Sequence, residues 1–478
     1  MEETLTNKTK KGVVWQTLSL VSNSGFTFIV GIILARILLP SDYGIIAMIT
    51  VFTSVLQIFT DGGLSSALLR KENRTEKDIS TVFYYNFTAC YVIYFIIFIC
   101  APYIADFYEM TDICKIARVF SITLLITPFY SIQLILLKSK IDFKTKCKIE
   151  VLCNIFYALT AIIMVYTGWG IWSLIIPSLL SQLVSAILYN MAYRWYPTEG
   201  FSMKSFKELF GYSSKLLVAR VVNKMYANIA PMVIGKFFSP TLLGLYERAK
   251  SWPALPSQTL AISFQSVTFP VLSKIQNDKE RLRYNYIRLL KMTSFLIFPL
   301  MIGLAAVARP LVIVVLTEKW IDSVNLMQLI CLSYMWFPIL LINSNLLTVS
   351  GRSDLYLHCE CCKIIIGVIS LCCFLPYGVK TYCLAEVFVM WIYICISCLY
   401  AKKIINTRIW VQLISIFPIL VNCIVMGFIS ILAQTLTSIN ILKLLLGIAS
   451  GFIYYLLSAK FFFKEQYKET LNFITARK

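Results

Sequence analysis

Long apolar runs, separated by short clusters of polar and turn-forming residues, fill the chain from residue 13 onward. The runs are continuous, as over 92–101 and 409–431, and do not alternate between apolar and polar positions. A membrane-spanning strand alternates with a period of two, whereas a helix crosses a bilayer with about 20 mostly apolar residues. The pattern therefore predicts an all-α polytopic membrane protein with fourteen transmembrane helices. They are expected near 13–38, 43–68, 80–103, 114–137, 150–166, 171–193, 209–237, 242–272, 285–307, 323–349, 356–375, 382–401, 409–434 and 441–459. A short apolar piece at 311–316 is too brief to cross and is expected at the interface. The first run, about 26 residues long, exceeds the ~7–15 apolar residues of a secretory signal. An uncleaved first helix is expected.

Composition narrows the classes further. Apolar residues make up 58% of the 478 and charged residues 14%, with a mean hydropathy of +0.75. A soluble domain carries about 45–50% and 25%, so a soluble enzyme, a disulfide scaffold and a disordered chain are excluded. The fifteen cysteines lie mostly inside apolar runs, where cysteine behaves as a small apolar residue. The group His358-Cys359-Glu360-Cys361-Cys362, followed by Cys372-Cys373, superficially suggests a metal site. Successive helical residues point about 100° apart, so these groups fan around a helix, and no metal or other cofactor is expected. There is no phosphate-cradling glycine loop, no set of paired acids and no nucleophile elbow. A transporter driven by an ion or substrate gradient is expected, not an enzyme.

The formal charge of +20 is distributed unevenly. On the side of the N-terminus, the tails and loops carry 28 lysines and arginines, with Lys138, Lys140, Lys144, Lys146 and Lys148 in one such loop; the opposite loops carry three, Arg309, Lys319 and Lys380. Basic loops stay cytoplasmic, so both termini are expected in the cytoplasm. Contact with anionic lipid headgroups, about 1 kcal/mol per charge, accounts for most of the excess without any nucleic-acid partner.

An internal repeat appears at an offset of 200 residues. Ile32-Ile33-Leu34-Ala35-Arg36-Ile37-Leu38-Leu39-Pro40-Ser41-Asp42-Tyr43-Gly44 aligns without gaps on Met232-Val233-Ile234-Gly235-Lys236-Phe237-Phe238-Ser239-Pro240-Thr241-Leu242-Leu243-Gly244. Six predicted spans precede the restart, which implies two parallel six-helix lobes around a central cavity, as in transporters that alternate access. The expected divisions are 1–200, 201–405 and 406–478, the last holding two extra helices and a cytoplasmic tail.

Thirteen basic residues fall in or at the edges of spans. A charge at mid-bilayer costs about 2.5–3.5 kcal/mol on insertion scales, so position decides which ones matter. Lys215, Arg288, Lys291 and Lys443 lie near span ends and can reach headgroups. Arg220 and Lys224 sit near the centre of span seven, four residues apart and so on one face, with Asn223 beside them. Two like charges on one face in a low dielectric need water, an anion or a buried acid. A hydrated anion-binding cavity is the preferred reading, because only Asp61, Glu247, Glu360 and Glu386 lie well within spans. In span eight Glu247 and Lys250 can pair along the helix, Arg248 needs another partner, and Pro253 and Pro256 predict a kink. Asp61 in Asp61-Gly62-Gly63 has two readings, a residue that titrates during transport or a cap on an unwound turn. Glu247 is the second coupling or gating candidate.

The chain also resembles the Wzx-like polysaccharide flippases of the multidrug/oligosaccharidyl-lipid/polysaccharide exporter superfamily. The resemblance rests on Gly31-Ile32-Ile33-Leu34-Ala35-Arg36 with Pro40-Ser41-Asp42-Tyr43-Gly44, and on Asp61-Gly62-Gly63-Leu64-Ser65-Ser66-Ala67-Leu68. Ser80-Thr81-Val82-Phe83, Gly244-Leu245-Tyr246-Glu247-Arg248-Ala249, Phe269-Pro270-Val271-Leu272-Ser273 and Glu318-Lys319-Trp320 extend it over at least 10–400. It implies fourteen helices in the inner membrane and transfer of undecaprenyl-diphosphate-linked oligosaccharides to the outer leaflet for surface polysaccharide. It also implies basic residues at Arg36, Lys236 and Arg248, of which Arg36 and Arg248 join Arg220, Asn223 and Lys224 as expected substrate-binding residues of the cationic cavity, and a polysaccharide polymerase with chain-length machinery as partners. Tyr226 and Tyr246 could stack on sugar rings. Where related chains often carry an acid in the seventh helix, this one has Ala230-Pro231, so no gating role carries over to that position. Competing readings are a cation-coupled multidrug exporter, a peptidoglycan-precursor flippase and, from another class, a membrane-embedded polysaccharide polymerase. A drug exporter would favour acids in its cavity, and a polymerase would need large polar loops.

Overall fold

The computed structural model describes residues 5–71 and 73–475. Among the described residues there are twenty α-helices, two short 3₁₀ turns and no strand. Eleven spans are long and apolar enough to cross a membrane, or twelve if Asp112–Ile126 and Pro128–Ser139, bent by 45°, act as one. The helices Met203–Phe237 and Pro240–Lys274 have 35 residues each, about 52 Å at 1.5 Å per residue. They are long enough for the ~30 Å hydrocarbon layer but too polar to count among the eleven. Fourteen crossings require both to span, and both carry the charges singled out above. The chain is a multi-pass membrane protein.

The first compact unit runs to Gly244. It contains α1 (Leu5–Ile37), α2 (Pro40–Asp61), α3 (Leu64–Arg70), α4 (Glu76–Tyr108), α5 (Asp112–Phe120), α6 (Ile122–Ile126), α7 (Pro128–Ser139), α8 (Phe143–Tyr166), α9 (Trp172–Ala192) and α10 (Met203–Phe237). α1 packs on α8 and α8 on α9, while α2 packs on α4 and α10. Polar loops start the helices in ordinary ways. Thr75 and Asp78 cap α4 reciprocally, with Asp78 N donating to Thr75 Oγ1 at 3.3 Å and Thr75 N to Asp78 Oδ2 at 3.0 Å. Asp142 caps α8 through Thr145 N at 3.1 Å. α4 turns Ile97 and Ala101 inward and leaves Val92, Phe95, Ile96 and Ile99 exposed, as a lipid-facing surface requires. The sequence places Lys146 in a cytoplasmic loop, but it lies in α8 and is buried. Its ammonium is 3.1 Å from Glu150 and donates to Gln16 at 3.2 Å, while Glu150 also accepts from Ser19 and Asn23 of α1. Pairing offsets part of the cost of burying that lysine.

The second unit begins at Leu245. It holds most of α11 (Pro240–Lys274), then α12 (Lys279–Ala306), α13 (Ala308–Leu316), α14 (Ser323–Tyr334), α15 (Phe337–Val349), α16 (Ser353–Phe374), α17 (Val379–Ile405), α18 (Ile409–Gln434), α19 (Asn440–Phe462) and α20 (Lys464–Thr475). α11 remains one helix through Pro253 and Pro256. The short apolar piece at 311–316 forms part of α13. α12 packs on α18, and the buried Phe298, Met301 and Trp336 fill the interior. Inside this apolar core sits one polar knot. The Tyr286 hydroxyl lies 2.7 Å from Asn343 Oδ1 and 2.9 Å from Gln412 Oε1, and Asn343 Nδ2 donates to Ser397 Oγ at 2.7 Å. The knot ties α12, α15, α17 and α18 together with every group buried.

Removing one buried partner leaves others unsatisfied, which costs about 1–3 kcal/mol. Tyr286→Phe should therefore insert normally and lower the melting temperature of the purified protein. Asn343→Leu should lower it further.

Candidate functional site

α2 and α10 present matching stripes to each other. Ser54, Gln57, Ile58 and Asp61 come from α2; Arg220, Asn223, Lys224 and Ala227 come from α10. Both sets follow the i, i+3, i+4, i+7 spacing of a single helical face. Together they line an open, shallow cavity of about 550 Å³ within the first unit. Asn228 braces it, its amide donating to Ser54 Oγ at 3.2 Å and to Lys224 O at 2.7 Å.

The turn after α2 sets the charges in place. Gly62 and Gly63 adopt φ of 57° and 76°, a left-handed region that costs other L-residues roughly 1–2 kcal/mol. Space is also short there. A Cβ on Gly62 would lie 2.7 Å from the Tyr85 hydroxyl oxygen, and one on Gly63 would lie 3.0 Å from Ser213 Cβ. The double turn brings the start of α3 over Asp61, whose Oδ1 accepts from Ser65 N at 3.1 Å and from the Ser65 hydroxyl. Arg220 bridges the same turn. Its Nη1 is 3.6 Å from Asp61 Oδ2 and its Nη2 donates to Ser66 Oγ at 3.2 Å. Asp61 is thus both a helix cap and the counter-charge of Arg220.

Lys224, one turn along α10, has no acidic partner among the described residues. The cavity therefore holds two bases and one acid. The Arg220 and Asp61 side chains stay 49% and 32% exposed, and an ion pair so open contributes about 0–1 kcal/mol. An incoming anion can separate it. The guanidinium then offers a planar fork of donors and Lys224 a compact positive charge, the combination that grips phosphate oxygens.

The structure thus gathers four of the residues selected from sequence, Arg220, Asn223, Lys224 and Asp61, in one cavity. Arg36, Glu247 and Arg248 do not line it. Arg36 is exposed in the last turn of α1, where a positive charge suits the helix dipole. Lys236 ends α10 in the same way and donates to Glu109 Oε1 at 2.8 Å; that hydrogen bond holds the Glu109 carboxyl below its usual range. Glu247 and Arg248 lie in the second unit. Glu247 Oε1 is 3.7 Å from Lys250 Nζ, the pairing expected from their spacing, and the Arg248 guanidinium lies 5.9 Å from the Trp320 ring centre. Tyr246 is buried, with Lys250 Nζ 5.7 Å from its ring. Sequence reasoning missed Ser54 and Gln57. Their signal was present in Thr50, Ser54, Gln57 and Asp61, a polar stripe at helical spacing on an otherwise apolar helix.

Because the Gly62–Gly63 turn positions Asp61 and Ser66 together, Gly63→Ala should destabilise the protein by about 1–2 kcal/mol. Gly63→Asn should be milder, since asparagine tolerates left-handed backbone better. Thermal unfolding of the purified variants reads both.

Comparison with known proteins adds an independent line. The family model described as "Polysaccharide biosynthesis protein" matches residues 33–325. The teichuronic acid biosynthesis protein TuaB of Bacillus subtilis is 25% identical over 399 residues, covering 82% of this chain and 80% of TuaB. The lipopolysaccharide biosynthesis protein WzxC of Escherichia coli is 22% identical over 333 residues, 68% of this chain and 67% of WzxC. Among solved structures, the lipid II flippase MurJ in an inward closed conformation superposes with a TM-score of 0.74 at 18% identity. That match covers 95% of this chain and 99% of MurJ and establishes a shared fold.

Proposed function

Because the chain belongs to the polysaccharide biosynthesis protein family, matched over residues 33–325, we propose that it flips lipid-linked oligosaccharide units across the cytoplasmic membrane. It is a transporter, not an enzyme. The cargo is an undecaprenyl-diphosphate-linked repeat unit destined for a surface polysaccharide. Both termini lie in the cytoplasm, and residues 1–200 and 201–405 act as the two repeats of an alternating-access cycle, followed by an appendix at 406–478. A polysaccharide polymerase and its chain-length machinery receive the flipped unit.

The observation that carries this reading is the pair Arg220 and Lys224 on one face of α10, opposed by a single carboxylate. A diphosphate bearing sugars cannot enter hydrocarbon without losing its hydration, and charge-assisted donors in a wet cavity replace the water it gives up. Arg220 takes two phosphate oxygens, Lys224 a third, and Gln57, Asn223 and Ser54 hydrogen-bond the first sugar. Asp61 competes for Arg220 and returns to it when the anion leaves. A multidrug exporter that binds organic cations is disfavoured by the same count, since the cavity's net charge is positive.

The test is made in cells with the gene deleted and restored, measuring lipid-linked oligosaccharide in the cytoplasmic leaflet together with surface polysaccharide. Wild type should clear the inner pool. Arg220→Ala and Lys224→Ala, properly inserted, should each lower flipping at least tenfold, and Arg220→Lys should retain part of it. Normal flipping by the Arg220→Ala, Lys224→Ala double variant would remove the cationic cavity from the mechanism. Asp61→Asn should bind the diphosphate more tightly and release it more slowly, visible as an increased bound fraction with reduced turnover.

A further inference from the structure

The repeated proline–glycine motif has a reciprocal geometry. Pro40 opens α2 and Pro240 opens α11, and in each case glycine follows four residues later. The carbonyl oxygen of Pro240 lies only 1.8 Å from where a Cβ on Gly44 would be. The carbonyl oxygen of Pro40 lies 1.9 Å from the Cβ position of Gly244, and Gly44 N lies 3.0 Å from it. Each glycine therefore turns a Cα–H toward the other repeat's proline carbonyl, a pair of weak hydrogen bonds of the kind found where helices touch backbone to backbone. No side chain fits between the two turns.

The surroundings reinforce the closure. A Cβ on Gly235, near the end of α10, would meet Met48 Cγ and Tyr108 Cε1 at 3.1 Å. Lys236 is paired with Glu109 and lies 5.3 Å from the Phe107 ring centre, and Phe52 packs edge-on against Phe107 and Tyr108. With the cytoplasmic N-terminus proposed above, α1 and α10 end, and α2 and α11 begin, on the outer side. The polar stripe of α2 that lines the cavity lies on the cytoplasmic side of this contact.

We propose that the reciprocal contact between Pro40-Gly44 and Pro240-Gly244 is the outer seal of the transport pathway. Glycine is needed at 44 and 244 because the seal closes on backbone, and proline is needed only for its carbonyl and for starting the helix. The seal must part whenever the cavity opens outward, so a methyl at either glycine penalises the sealed state alone. The proposal rests on the alternating-access reading and not on the identity of the cargo.

The reporter is Thr50→Cys, on the same face of α2 as Ser54, Gln57 and Asp61, and exposed. Cells expressing it are treated with a membrane-impermeant maleimide, and labelling is counted above that of the parent chain. Gly44→Ala and Gly244→Ala should each raise outside labelling severalfold and lower transport. Pro40→Ala and Pro240→Ala, which keep the carbonyl, should leave labelling within about twofold. Unchanged labelling with normal transport in both glycine variants overturns the proposal, as does an equal rise in the proline variants. Should the glycine variants fail to insert, the native sequence at 44 and 244 is kept and spin labels are placed through a non-canonical amino acid at the exposed Leu39 and Phe237. Two distance populations between the labels are then expected, and a single fixed distance overturns the seal. Neither measurement requires substrate, so the seal and the cargo assignment can fail separately.

Discussion

A charged side chain placed within hydrocarbon must be paired or hydrated, and the packing of α2 against α10 follows from that constraint. Arg220 is satisfied by Asp61 and Ser66, whereas Lys224 is left without an acid among the described residues. The cavity supplies the hydration that pairing does not. It also explains why α10 is more polar than the other spanning helices despite its 35 residues. A helix lining water on one side can hold fewer apolar residues than one facing lipid all round. α11, equally long and also polar for a membrane span, carries Glu247, Arg248 and Lys250 as a largely internal charge group.

Those facts bear on what could be read from the sequence alone. The spacing of Arg220, Asn223 and Lys224 was legible because charge in an apolar run is rare and four residues make nearly one turn. Ser54 and Gln57 were not singled out, since neutral polar residues in a membrane helix usually bond their own backbone, as Thr53 does with Ile49 O at 3.1 Å. Asp61 was left with two readings; the structure shows the cap and adds an ion pair with Arg220, because the Gly62–Gly63 turn places Ser65 and Arg220 on opposite oxygens of one carboxylate. Lys146 was assigned to a loop because charge density alone cannot distinguish a solvated lysine from one sealed by Glu150 and Gln16. The repeat sets the expected restart at residue 201. The compact unit nevertheless extends to Gly244, because α10 packs on α2, α3 and α4, and no periodicity in sequence announces which neighbour a helix will choose.

The α2–α10 face and the core of the second unit treat polar groups in different ways. Around α2 and α10 they are partly exposed and held by one open ion pair, an arrangement that yields readily to a competing ligand. In the second unit, Tyr286, Asn343, Ser397 and Gln412 are held inside an apolar core by one another and by the backbone carbonyls of Ile394, Cys398 and Thr407. A closed knot fixes helices in register, and its worth lies in having no alternative partner. An open pair has the opposite merit, since its weakness is what permits exchange.

That weakness sets the requirements for turnover. If Arg220 and Lys224 faced no acid, a diphosphate held by both would leave slowly, because every bond broken on release would have to be replaced by water alone. With Asp61 already 3.6 Å from Arg220, release in the proposed cycle exchanges one charge-assisted partner for another. The same carboxylate is anchored by Ser65 at the start of α3, so it cannot follow the departing anion. A fixed acid beside a movable anion makes binding reversible, and it confines the competition to Arg220. In the proposed cycle Lys224 adds attraction without a rival, in keeping with a cavity whose two bases face one acid.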